Sequence, residues 1–188
     1  MQAILDKTFL KEDYTANALP KGEYDNCTFT DCNFLNANLN NIVFTECIFE
    51  GCNLTMVQVK QAALKDVRFV NCKITGVHFH DCDPFLLKVQ FEKCILQLAS
   101  FYKLKLKNIL FSKCDLRETD FTETDLTGAS LSGCDLANTI FQDTILEKAD
   151  LRTAFNYSID PEANRLKGAK FSREGIAGLL DKYQIVIE

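Results

Sequence analysis

Two histidines, nine cysteines and an uneven scatter of acids are the residues of this 188-residue chain that bear on chemistry. His78 and His80 form an H-x-H pair with Asp81 beside them, a pattern able to ligate a divalent metal. The pair flanks Phe79 at period two, so both rings point outward together; they are read as solvated surface residues, and no metal or other cofactor is assigned. The cysteines (Cys27, Cys32, Cys47, Cys52, Cys72, Cys82, Cys94, Cys114 and Cys134) show no C-x-x-C spacing, so nothing marks converging zinc thiolates. There is no P-loop, G-x-G-x-x-G, G-x-S-x-G or H-E-x-x-H. With no catalytic constellation visible, the chain is read as a non-enzyme.

What positions these side chains is a repeat of five residues. A large apolar residue recurs at every fifth position from Phe9 through Tyr14, Leu19, Tyr24, Phe29 and onward to Phe79. After a two-residue slip it resumes at Phe91 and continues to Leu151. Two positions before most of these stands a small residue, and all nine cysteines occupy that site. Five fits neither the 3.6 period of a helix nor the period of two of a strand. A short strand followed by a corner fits it. Identity also recurs at spacing 20, as in Phe9, Phe29, Phe49 and Phe69, or Leu96, Leu116 and Leu136. Four units therefore close one coil, and each residue stacks on the one 20 later. Phe9 to Leu151 makes about seven coils, a rod about 34 Å long at a strand spacing of about 4.8 Å. One coil alone cannot bury its ring of four large side chains, so stability must come from stacking neighbours. The cysteines then serve as compact inward hydrophobes, reduced, with parallel Cβ vectors that suit disulfides poorly.

Units such as "ANLNN", "CDLRE", "TDFTE", "TDLTG", "CDLAN" and "ADLRT" resemble those of the pentapeptide-repeat family, roughly A-(D/N)-L-x-x, over about residues 9 to 151. The resemblance implies an all-β solenoid: a right-handed, four-sided parallel β-helix, here of about seven to eight coils. It is expected to fill 1–171, with a short C-terminal helix and strand over 172–188. Proline cannot donate to a ladder, so the slip near Pro84 predicts a bulge or small loop at 84–90. The family's plasmid quinolone-resistance members carry longer projecting loops; this chain has no insertion of that size. A second break falls at 155–163, where the fifth-position rule fails at Asn156, and Leu166 and Phe171 return to phase. Ser172 can cap a helix start, Ile176, Leu179, Leu180 and Tyr183 lie at helical spacing, and "QIVIE" reads as a last strand. This tail resembles the segment through which quinolone-resistance-type members dimerise end to end, and "IDPEANR" resembles a stretch of the microcin B17 immunity protein. Dimerisation is accordingly expected through Ile176, Leu179, Leu180, Tyr183, Ile185 and Ile187; the alternative is a cap within one chain.

Composition sets the remaining bounds. One domain is expected, with no apolar run long enough for a membrane span and no signal-peptide centre, so a cytoplasmic protein is the default reading. The net charge is −5, but it is unevenly spread. Residues 114–163 carry eleven acids and three bases, and residues 1–59 eight acids and three lysines; residues 86–113 hold six lysines and one acid. Asp115, Asp120, Asp125, Asp135 and Asp150 stand just before an inward residue, where they can hydrogen-bond corner backbone. Glu118, Glu123, Asp143 and Glu147 lie outside that position. The expected partner-binding face is Asp115, Glu118, Asp120, Glu123, Asp125, Asp135, Asp143 and Glu147. The family resemblance implies a DNA mimic that binds a protein partner, DNA gyrase or topoisomerase IV, and shields it from a quinolone or peptide toxin. Direct binding of nucleic acid is not expected. The alternative is an interaction scaffold for another protein.

Overall fold

The structure is a computed structural model that describes residues 2–186. The chain winds as a parallel, all-β solenoid of about eight coils, four pentads to the coil. Its first face is a nine-stranded sheet built from Thr8–Leu10, Thr28–Thr30, Ile48–Glu50, Val67–Val70, Val89–Glu92, Leu110–Ser112, Ser130–Ser132, Asp150–Leu151 and Lys170–Phe171. Every pairing is parallel, and Phe9 faces Phe29, which faces Phe49, which faces Phe69. The fourth face carries four strands, Gln2–Leu5, Gly22–Asp25, Val43–Thr45 and Ala63–Lys65. The coil thus begins at Gln2, one side earlier than the sequence pattern suggests. The second and third faces are joined by single parallel bridges at the same spacing, such as Asn33 to Asn53 and Asp120 to Ile140.

The corners explain why five residues suffice for one side. The second residue after each large inward one lies in the left-handed region at every corner from Asn26 to Gly76. That conformation turns the chain, and Asn, Asp and Gly tolerate it best. Before several corners, an Asx side chain accepts from the amide two residues on, as Asn53 does from Thr55, Asp120 from Thr122 and Asp125 from Thr127. The reading of the pre-apolar aspartates as corner residues therefore holds.

The axis is filled. Phe9, Phe29, Phe49, Phe69, Phe91 and Phe111 stack with ring centroids 4.7–5.3 Å apart. Phe79, Phe101, Phe121 and Phe141 form a second ladder that meets the first edge-on, as in Phe101 against Phe111 at 78°. Edge-to-face and offset contacts of this kind add to the gain from burial. A void of about 20 Å³ remains where Val59, Leu64 and Ile74 replace aromatic rings. All nine cysteines are free and buried.

The irregularities depart from expectation in two places. The two-residue insertion is where predicted: the spacing becomes 22 between Phe69 and Phe91, Leu87 packs against the core, and Phe85 and Leu86 project into solvent. The disturbance starts earlier, however, with a 3-10 turn at Phe79–Asp81 that replaces the usual corner. At the C-terminus the expected helix is two 3-10 turns, Ile176–Leu179 and Asp181–Tyr183, and Gln184–Val186 forms no strand. The cause is tertiary. The Gly178 carbonyl accepts from the Ile159 amide at 2.9 Å, and Gly178 lies against the Tyr157 main chain. An α-helix would need that carbonyl for itself. Ser172 does not cap the first of these turns: its hydroxyl accepts from the Gly175 amide at 2.9 Å in the preceding turn, and the 3-10 segment starts after Gly175 with no side-chain cap.

Candidate partner-binding surface

With the axis full, only the outer face and the ends are open to a partner. The eight acids expected to form one face are spread by the coil over three. Asp115, Glu118 and Asp135 lie on the second face, Asp120, Glu123 and Asp143 on the third, and Asp125 and Glu147 on the fourth. Five of them have intramolecular cations. Arg117 bonds Asp115 at 2.7 Å and approaches Asp135 at 3.9 Å. Lys103 reaches Glu123 and Lys107 reaches Asp125, each at 3.4 Å, and Arg165 holds Glu147 at 2.9 Å. The hydrogen bond from Arg117 holds the Asp115 carboxyl below its ordinary range, and Arg152 does the same to Asp150, down to about 2. Glu118, Asp120 and Asp143 make no ion pair among the described residues; Glu118 sits at the corner between the second and third faces, Asp120 at the start of the third, and Asp143 at the corner between the third and fourth.

A further acidic region was not singled out from the sequence. Asp6, Glu12, Asp13, Glu23, Asp25, Asp31, Glu46 and Glu50 are all exposed, and none is ion-paired among the described residues. Asp6, Asp25 and Glu46 sit around the corner between the fourth and first faces, diagonally across the rod from Glu118, and Glu12, Asp13, Asp31 and Glu50 around the next corner, between the first and second faces. The signal was available: residues 1–59 carry eight acids against three lysines. Between the two acidic regions runs a basic belt that includes Lys88, Lys105 and Lys107, which line a shallow groove of about 300 Å³. The surface is a patchwork of signs along the rod.

The C-terminal residues divide into two roles. Leu179 packs against the core and closes the last coil, and Leu180 is half-buried. Lys182 fixes the tail by bonding Asp160 and Glu162, each at 2.7 Å, and these bonds lower both carboxyls. Ile176, Tyr183 and Ile185 are each more than half exposed. Ile187 lies outside the described residues. A groove of about 520 Å³ runs between tail and coil end, and the buried Tyr157 hydroxyl beside it has no hydrogen-bond partner.

The histidines point outward as predicted, but they do not stand alone. Ligand atoms of His78, His80 and Asp81 lie within 4.8 Å of one another, because the 3-10 turn brings Asp81 back to the pair.

Comparison with known proteins agrees with this architecture. The family described as "Pentapeptide repeat region" matches residues 23–84 and 86–158, the gap falling on the exposed Phe85. Among solved structures the chain is similar to a trypsin-treated variant of QnrB1, a plasmid-mediated fluoroquinolone resistance protein, at 17% identity and a TM-score of 0.78, covering 100% of this chain and 92% of that one. Full-length QnrB1 matches at 18% identity and a TM-score of 0.56, over 98% of this chain and 100% of that one. At such identities the likeness is one of fold. No curated protein sequence matches the chain.

Proposed function

We propose a function from one premise: the chain belongs to the pentapeptide-repeat family. On that premise it is a DNA-mimicking binding protein whose partner is a type II topoisomerase, DNA gyrase or topoisomerase IV, which it protects from a quinolone or a peptide toxin. The observation that carries this reading is the likeness of fold, over the whole of this chain, to a fluoroquinolone resistance protein. Fold alone is a warrant by analogy. Two physical features support it. A rod with a filled axis can act only through its outer surface. That surface offers acids without ion-pair partners among the described residues, Glu118, Asp120 and Asp143 along the third face and its two corners and the N-terminal group around the first face, for a basic DNA groove. No helix among the described residues is long and apolar enough to cross a membrane. Such a partner would place the protein in the cytoplasm.

The test is a gyrase supercoiling assay with added protein, with and without ciprofloxacin. Restored supercoiling under the drug is the expected result, weakened when Glu118, Asp120 and Asp143 are changed together to the amides. No effect on gyrase or topoisomerase IV at any ratio would sink it. A second reading, an interaction scaffold for a different protein, is favoured by the five intramolecular ion pairs on the predicted acidic face. A pull-down that recovers one non-topoisomerase partner reproducibly, together with a null supercoiling result, would favour the scaffold.

A further inference from the structure

We propose that His78, His80 and Asp81 form a surface site for a single divalent ion of the zinc class. The ligand set is two imidazoles and a carboxylate, which suits Zn²⁺ and its borderline neighbours over Mg²⁺ or Ca²⁺. Three features of the coil assemble it. His78 and His80 flank the buried Phe79, which holds both rings on the same side of the third face. Their ring centroids are 5.3 Å apart. Next, the corner that should follow Phe79 is replaced by a 3-10 turn, and Asp81 does not take the left-handed conformation of the corners before it. Its carboxylate therefore lies 3.8 Å from His80 Nε2.

The third feature is a relay that prepares His80. Its Nδ1 is 3.1 Å from Ser100 Oγ, and Ser100 Oγ donates to Asp120 Oδ2, also at 3.1 Å. Since the serine proton goes to the carboxylate, Ser100 accepts from His80, and Nδ1 carries the imidazole proton. That leaves the Nε2 lone pair facing Asp81. A carboxylate-backed hydrogen bond on the far nitrogen is how metal-binding histidines are commonly oriented. Ser100 is buried and stacks on His78 in the coil register, so the relay is fixed by the ladder itself.

The spacing suits an ion after a small closure. Zinc bonds of about 2.0–2.1 Å place tetrahedral ligand atoms about 3.4 Å apart. The widest separation here is within 4.8 Å, so exposed side chains need to close by little more than an ångström. Three protein donors leave an outward position for water or for a partner's side chain. Lys60 and Gln58 line the adjoining groove of about 300 Å³. This site does not depend on the proposed topoisomerase partner.

The test is calorimetric titration of the untagged, reduced protein with ZnCl₂ near neutral pH, followed by thermal melting with and without the ion. One ion per chain is expected, with a zinc-dependent rise in melting temperature. His78→Ala and His80→Ala should each abolish both signals while leaving the circular dichroism unchanged. Ser100→Ala should weaken binding by about tenfold or more through the lost relay. Cys82→Ser, at the nearest buried thiol in the chain, should bind as the wild type does. No zinc uptake tighter than about 1 mM would overturn the proposal. So would equal binding by the two histidine variants, or loss in Cys82→Ser alone.

Discussion

Thr119, Thr124, Thr139 and Thr144 each donate a hydroxyl proton to a main-chain carbonyl 23 residues earlier, at 2.8–3.0 Å. The thiols of Cys52, Cys72 and Cys94 make the weaker version of the same bond to the carbonyls of Phe29, Phe49 and Phe69. Asn164 closes the series with its amide on the Phe141 carbonyl at 2.9 Å. The small inward site is thus a donor site as well as a space filler. Its place was legible in the sequence from the period alone. The bond was not, because which carbonyl lies beneath depends on how one coil sits on the last. Thr124→Val keeps the shape and removes one of the two donors to the Phe101 carbonyl, which retains the Leu104 amide at 3.1 Å, so it should cost about 0.5–1.5 kcal/mol in chemical denaturation. Thr55→Val should be neutral or stabilising in the same measurement, since the Thr55 hydroxyl is buried without a partner. Ionisation sets a second expectation. Burial pushes the Cys47 and Cys82 thiols up to about 12. A folded pKa raised above the unfolded one gives stability that is complete below the unfolded value and lost as pH rises through the folded one. The melting temperature should therefore fall between about pH 9 and pH 12. Cys47→Ser, which can keep the bond to the Tyr24 carbonyl and does not ionise in this window, should flatten that fall. An equal fall in the variant would show that other groups set it.

At the scale of elements, the coil was readable because its signal is redundant. Each apolar position is confirmed by neighbours 5 and 20 residues away. The two 3-10 features carry no such support. Asp81 reads like any other corner residue, and only the nearby insertion hints that the corner is remade. In the tail, Ile176, Leu179, Leu180 and Tyr183 fit an α-helix by spacing, yet Gly175 and Gly178 are weak helix formers. Gly178 is needed for another reason: a methyl group there would meet the Tyr157 carbonyl oxygen, which is main chain and cannot swing aside. Gly178→Ala should therefore lift the tail from the coil end. The expected loss is about 1–3 kcal/mol, the usual range for overpacking. Hydrogen exchange at the Ile159 amide, whose acceptor is Gly178, should speed up while the Phe49 and Phe111 amides stay protected. Unchanged protection at Ile159 would mean that the tail tolerates the methyl group.

For the whole molecule, nine strands on the first face span eight gaps, so the rod is about 38 Å long. Two rods joined in line would reach about 77 Å, a little over two turns of B-DNA at about 34 Å each. That length is what makes end-to-end pairing matter to the mimicry reading. The acidic side of that reading was only half legible in the sequence: the charge excess was visible, but which acids meet Arg117, Lys103 or Arg165 depends on three-dimensional neighbours. The same holds for the dimer residues. Helical spacing and the family resemblance put Leu179 and Leu180 with Ile176 and Ile185 at the dimer contact, whereas the fold packs Leu179 against the core, half-buries Leu180 and leaves Ile176, Tyr183, Ile185 and Val186 outside. The two roles therefore separate by mutation. Leu179→Asp should uncap the coil and lower the melting temperature, whatever the oligomeric state. Ile176→Asp combined with Ile185→Asp should leave the melting curve of the coil intact and yield monomers in sedimentation velocity. If the pairing serves a topoisomerase, that double variant should also lose protection in the supercoiling assay while remaining folded. A wild-type chain that sediments as a monomer at micromolar concentration would remove the dimer. The exposed tail residues would then be the outer face of a simple cap, and one rod of about 38 Å would cover only about one turn of a DNA-shaped groove.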